Sequence, residues 1–330
     1  MKYLFVLLIG VILTIVGLWL SYNPVKEGMA NTDLVMLAGV GPGGVVHIAT
    51  TGLTGSPNWG ALPTGILSQV SGSLGQLVGV KSNNSVWYGT QYSVAGSPYT
   101  WVQMQGTMTQ VDFDYPMVVG VNTSGKIQYI DDITGSPTTA PFKDITSTQS
   151  FKWVSISIGR AYAIGTDNLI YYTSNVRTGT WTNVSGSIAG KTFLNVSYDG
   201  DEVVVLDNAN KVYYANSGLE TTPNWRALTG SIKQITLKNN MLFCINTDNK
   251  VYFSPSQSPD ASWTLLNSSI TFTYLSCFYP RTANMVQQRP ASMTPCRSGY
   301  SFFAGQCMTV CPTGFTENGV NCNGVPVTRA

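Results

Sequence analysis

Few residues in this chain are of types that do chemistry. Its 330 residues include one histidine, His47, and six cysteines. A single imidazole supplies neither a histidine-based metal cluster nor a Ser-His-Asp triad. His47 also occupies a recurring strand position, held elsewhere by Trp87, Gln128, Tyr171, Tyr213 and Tyr252, which marks it as structural. Asp112 and Asp114 lie on one strand face, and Asp131 and Asp132 are adjacent. Acid–base work needs a positioned partner within hydrogen-bond reach. The sequence shows none for either pair, and the second pair is expected to be solvated on a loop. The stretch GVGPGG, residues 39–44, has the glycines of a phosphate cradle. No helix pattern follows it, as such a cradle requires, so it reads as a hairpin turn. No catalytic residue, metal ligand or cofactor is expected.

The remaining reactive groups suggest covalent processing. Cys296, Cys307, Cys311 and Cys322 form a symmetrical C-x10-C-x3-C-x10-C. Zinc sites usually show close C-x2–4-C pairs, and only one occurs here. Two disulfides are the better expectation, because so small a module has too few apolar residues to hold itself. Three pairings are open. Cys244 and Cys277 fall in or near strands and are expected as buried free thiols. N-x-S/T sequons occur at Asn83, Asn122, Asn183, Asn195 and Asn267. Several sit in turns, where a glycan is accommodated if this part of the chain enters a glycosylating lumen.

The elements that position these residues are strands. Charged residues make up 10% of the chain, against a usual ~25%, and Gly, Ser, Thr and Asn replace them. The net charge is +2, and no Lys/Arg cluster appears, so no nucleic-acid partner is expected. NWGALPTGILSQV at residues 58–70 returns as NWRALTGSIKQI at 224–235. The phrase is one of a series led by Trp59, Trp101, Phe142, Trp181, Trp225 and Trp263, spaced roughly 38–44 residues apart. A second series keeps step with it: VVHIA, VWYG, IQYI, IYYT, VYYA and VYFS, each after an Asn-, Asp- or Gly-rich turn and an apolar run. Such turns reverse a hairpin because their residues tolerate positive φ. Four short strands per repeat of ~40–45 residues describe a propeller blade. Runs such as LVGV are apolar on both faces, as a blade buried between two neighbours requires. The six aromatics are expected to pack blade on blade.

The ends complete the ring. The first unit begins at its second strand, Leu34 to Val40, and an orphan strand, Ile270 to Phe278, follows the last. Pairing the two closes six blades and removes a free sheet edge. Outside the propeller, residues 3–20 carry no charge. As a helix at ~1.5 Å per residue they span about 27 Å, close to the ~30 Å of a bilayer core. Trp19 and Tyr22 stand at its outer end, as interfacial residues do. A cleaved signal peptide is the alternative, but its apolar core usually runs ~7–15 residues. The expected organisation is a transmembrane signal-anchor over 1–22, a linker over 23–33, a propeller over 34–279, a linker over 280–295 and a Cys-rich module over 296–330. Lys2 before the anchor weakly orients the N-terminus to the cytoplasm and the rest to the exoplasmic or lumenal side.

The phrase W-x-x-L/V-x-G-S-I-x-Q-I, followed by an apolar strand, an Asn-bearing turn and V-Y-Y, resembles the tectonin repeat. Its clearest copies run from Trp101 to Tyr129 and from Trp225 to Phe253, and the resemblance covers residues 33–279. The third unit departs most, with Phe142 for Trp and no Gly-Ser after it. The resemblance implies a β-propeller and binding rather than catalysis, since several tectonin proteins are lectins. It assigns no ligand residues here. The expectation is a membrane-anchored, lectin-like protein for glycans or a glycosylated partner. The alternative is a structural or assembly component, such as a membrane-anchored minor capsid or surface protein of a large virus particle.

Overall fold

The computed structural model describes residues 35–89, 100–133, 136–255, 263–266 and 269–279, and the backbone of 300–303, 306–309, 315–318 and 321–324. The expected anchor, both linkers, Cys296, Cys311 and Asn267 lie outside the described residues. Among those residues, no helix is long and apolar enough to cross a membrane.

The described fold is all-β. Blade 1 has the strand order Tyr274–Phe278, Met36–Val40, Val45–Ala49, Trp59–Ile66. Its innermost strand thus comes from the far end of the propeller. Met36 faces Phe278 and Val40 faces Tyr274 in antiparallel register. Pairing starts at Tyr274 rather than Ile270, because Phe272 turns its ring against Trp59 at 4.3 Å instead of extending the ladder.

Blades 2 and 3 share one sheet. It runs Gln69–Ser73, Gln76–Val80, Ser85–Gly89, Trp101–Asp114, Met117–Asn122, Ile127–Ile130, Lys143–Asp144. The long strand is the outer strand of blade 2 up to Thr107, which pairs with Ser85. From Met108, which pairs with Asn122, it is the inner strand of blade 3. The expected separate sheets are joined because QGTMTQ stays extended on both sides of one bend, at Gly106, whose φ is +86°. Blade 4 is Phe151–Ser157, Arg160–Gly165, Ile170–Thr173, Thr182–Asn183. Blade 5 is Phe193–Tyr198, Val203–Asp207, Val212–Ala215, Arg226–Leu228, and blade 6 is Ile232–Lys238, Met241–Asn246, Val251–Pro255, Thr264–Leu265.

The six inner strands contact one another in sequence, and the ring closes where blade 6 meets Tyr274–Phe278. Strands inside the blades, such as Gln76–Val80 and Val203–Asp207, are buried along their whole length. Each fully buried Val or Leu contributes about 1.5–3 kcal/mol by leaving water. The hairpin turns are closed by left-handed residues: Asn84, Asn168, Asn210 and Asn249 have φ of 61–65°. The turn Asn122 caps itself, with Oδ1 accepting from Ser124 N–H and Lys126 N–H. The Gly-rich stretch forms a 3-10 turn over Pro42–Gly44.

In the tail, Tyr300–Phe303 pairs with Gln306–Thr309, and Phe315–Asn318 with Asn321–Gly324. Cys307 stands opposite Phe302, and Cys322 opposite Glu317.

Candidate functional site

The inner strands present their free edges to the propeller axis. Alternate N–H groups on such an edge have no partner in their own sheet and must find one elsewhere. Side chains of the preceding blade supply it, in tiers stacked down the axis.

The middle tier is a closed ring. Ser71, Asp112, Ser155, Ser197, Thr236 and Ser276 occupy the same place on successive inner strands. Each accepts a backbone N–H from the next blade: Phe113, Ile156, Tyr198, Leu237, Cys277 and Gly72, at 2.8–3.3 Å. The upper tier is Gln69, Gln110, Trp153, Asn195, Gln234 and Tyr274. Gln69 clamps Val111 through both ends of its amide, donating at 2.6 Å and accepting at 2.9 Å. Gln110 clamps Val154 in the same way, at 2.9 Å each. Trp153 Nε1 donates to Val196 O at 3.1 Å. In the lower tier Ser73, Asp114 and Asp199 accept the N–H groups of Tyr115, Ile158 and Asn239.

Asp112, expected without partners, is the hub of this network. Ser71 Oγ donates to one carboxylate oxygen at 2.6 Å, and Ser155 Oγ and Ile156 N–H donate to the other at 3.0 and 2.8 Å. Burial pushes its pKa up, against the lowering effect of these hydrogen bonds. Beneath it, Lys238 Nζ meets Asp199 at 2.5 Å and lies 4.9 Å from the Tyr279 ring centre. Burial alone would lower this ammonium, but Asp199, Tyr279 and Asp114 hold its pKa above the ordinary value. Asp131 also differs from expectation. It bridges Lys143 of its own blade, at 3.0 Å, and Arg177 of blade 4, at 2.5 Å, instead of standing free on a loop.

The axial cavity between these tiers measures about 30 Å³. One water needs roughly 10–15 Å³ on this measure, so the cavity holds a few water-sized groups and no sugar ring. The rim begins one residue before the upper tier on each inner strand. There the side chain usually bonds its own blade: Thr109 Oγ1 to Val121 O, Lys152 Nζ to Asn168, Lys233 Nζ to Asn249, Thr273 Oγ1 to Val40 O. Blade 5 has Leu194 in that place, and it is 45% exposed.

The other singled-out residues are scattered. Trp181 and Trp225 are 9% exposed within clusters that join neighbouring blades. Trp225 Nε1 donates to Val184 O of blade 4 at 3.2 Å, and Trp181 packs on Phe151 at 4.8 Å. Trp59, Trp101, Phe142 and Trp263 are half-buried. Trp263 Nε1 donates to Thr229 O at 2.9 Å. His47 is half-buried edge-on to Phe272, and burial lowers its pKa. Cys244 and Cys277 are free and buried, and burial raises both thiols. Asn83 and Asn183 are exposed and Asn122 is half-buried. Asn195 is 5% exposed in the axial wall, where the folded propeller leaves no room for a glycan. The axial glutamines were not singled out from sequence, although the Gln of I-x-Q-I recurs in the repeat.

A Tectonin domain model matches residues 47–223, more than half of the chain. The chain belongs to the tectonin family. The match begins inside blade 1 and ends in blade 5 of this tectonin propeller. No curated protein sequence matches it. Among solved structures, a chain of the nidogen/laminin complex superposes with a TM-score of 0.56 at 10% identity, over 74% of the tectonin chain and 98% of its own. The WD40 β-propeller domain of Doa1 gives 0.46 at 13% identity, over 72% and 80% of the two chains. Prp20p from Saccharomyces cerevisiae gives 0.48 at 7% identity, over 72% and 76%. At these identities the likeness bears on the fold alone.

Proposed function

We propose that this tectonin protein is a recognition protein, held to a membrane by residues 3–20 with the propeller and tail on the exoplasmic side. It binds glycans or a glycosylated partner, in the manner of a lectin, through loops around the rim. One observation carries the reading: the axis is laced by blade-to-blade hydrogen bonds around a cavity of about 30 Å³, which has no room for a sugar ring and leaves the loops and rim to receive one. The copies differ there. Leu194 stands exposed where other blades place Ser, Thr or Lys. Asp112 and Asp114 serve as acceptors for the next blade, which accords with a binding role rather than acid–base chemistry.

A second reading is an assembly component of a large particle, such as a membrane-anchored virion protein. The low charge, 18 basic and 16 acidic residues in 330, favours close protein packing as well as it favours sugars. A broad glycan array probed with the full chain in detergent tests both. Saturable binding to a defined glycan class supports recognition. No binding across the array, with stoichiometric recovery in a purified assembly, supports the second reading. An intact mass of the native protein checks whether residues 1–30 are retained.

A further inference from the structure

The upper tier of the axis is complete on one side and broken on the other. Gln69 and Gln110 each clamp the following blade through both amide ends. Gln234 makes only the donating half, with Nε2 on Leu275 O at 2.9 Å and Ile235 O at 3.1 Å. Those two carbonyls fix the orientation of the amide, and its Oε1 is buried without a partner. Asn195, on the adjacent inner strand, is a methylene shorter than glutamine, and its Oδ1 is likewise buried and unpartnered. Both residues are more than nine-tenths buried, and both line the axial cavity. Leaving two such acceptors unmet in low dielectric is costly.

Electron-rich groups stand among the residues that line this cavity. Trp153 and Tyr274, from opposite sides of the ring, lie nearly parallel across it, with centroids 6.2 Å apart and an interplanar angle of 24°. Aromatic faces attract cations. The Asp112 carboxylate forms part of the wall. The tier below holds Asp114, Asp199 and only one base, Lys238. Among the described residues, no set of three His, Cys, Asp or Glu converges on a point, as a divalent ion would favour. Neutral amide oxygens with one already hydrogen-bonded carboxylate suit a singly charged ion.

We infer that the axial cavity binds a monovalent cation of the potassium or ammonium class, held by Gln234 Oε1 and Asn195 Oδ1 beneath Trp153 and Tyr274. The ion takes the place of the glutamine clamp missing between blades 5 and 6 and links that side of the ring.

Two measurements on the full chain test this. In thermal melts at constant ionic strength, the wild type is expected to melt higher in KCl than in choline chloride, with a rise that saturates. Asn195→Gln lengthens the side chain into the cavity and restores the clamp, so its melting point should be the same in both salts. Crystals grown in RbCl should show an anomalous peak bounded by the two amide oxygens. Equal wild-type melting in the two salts overturns the inference. So does the absence of a rubidium peak from the cavity, with ordered water alone in its place, even if the Asn195→Gln protein does not fold.

Discussion

Asp112 ties three blades together with one carboxylate. It takes hydrogen bonds from Ser71 of blade 2 and from Ser155 and Ile156 of blade 4 while sitting on blade 3. Asp112→Ala strands a buried N–H and two hydroxyls, and each unmet buried group costs about 1–3 kcal/mol. A loss of roughly 2–4 kcal/mol is expected in urea unfolding at neutral pH, with no change in sheet content by circular dichroism. The two aspartates of opposite shift give the pH dependence its form. Asp131 is held below its ordinary 3.8: burial raises it, and Arg177 and Lys143 more than offset that. Its contribution is therefore present above 3.8 and is lost as pH falls through the lower folded value. Asp112 is raised, so its folded form keeps a proton that the unfolded chain releases. Stability then declines as pH climbs from 3.8 through the folded value. Asp131→Asn should flatten the acid-side loss, by under about 1 kcal/mol since Asp131 and Arg177 are each about a third exposed and Lys143 more than half. Melting curves from pH 2 to 6 check this.

At the scale of elements, the aromatic phrase is a joint. Trp225 sits in a cluster that draws on blades 4 and 5 and bonds Val184 across the seam. Trp225→Ala is expected to cost about 3–5 kcal/mol in denaturant unfolding. A variant of native stability with altered ligand binding would assign this tryptophan to recognition instead. The interval of the repeat marked these positions; the structure buries the aromatic at Trp181 and Trp225, whereas Trp59, Trp101, Phe142 and Trp263 stay half-buried. The merged sheet of blades 2 and 3 was less legible. Whether QGTMTQ breaks or merely bends depends on one glycine, Gly106, whose φ of +86° is a tertiary outcome. The ion pairs of Asp131 were hidden for a similar reason: Arg177 lies on the next blade, far along the chain.

For the whole molecule, closure is the decisive event. Tyr274–Phe278 inserts as the inner strand of blade 1, and its Ser276 completes the middle tier by accepting Gly72 N–H at 3.3 Å. The seam is tight: a Cβ on Gly72 would stand 2.4 Å from the Phe278 ring. Ending the chain after residue 273 removes this strand and opens the ring. The truncated protein is expected to lose its single cooperative melting transition and to associate through the exposed edge of Met36–Val40. Scanning calorimetry and size-exclusion chromatography read the two effects.

The sequence by itself determined the blade count, the order of strands and the pairing of the first strand with the last. These follow from local signals: apolar runs, left-handed turn residues and an aromatic at each joint. The axis was decided only by the tertiary structure. Gln69, Asp112 and Asn195 look alike in one dimension, as polar residues within strands. Their roles as clamp, hub and broken clamp depend on what the next blade, some 40 residues away, brings within hydrogen-bond distance.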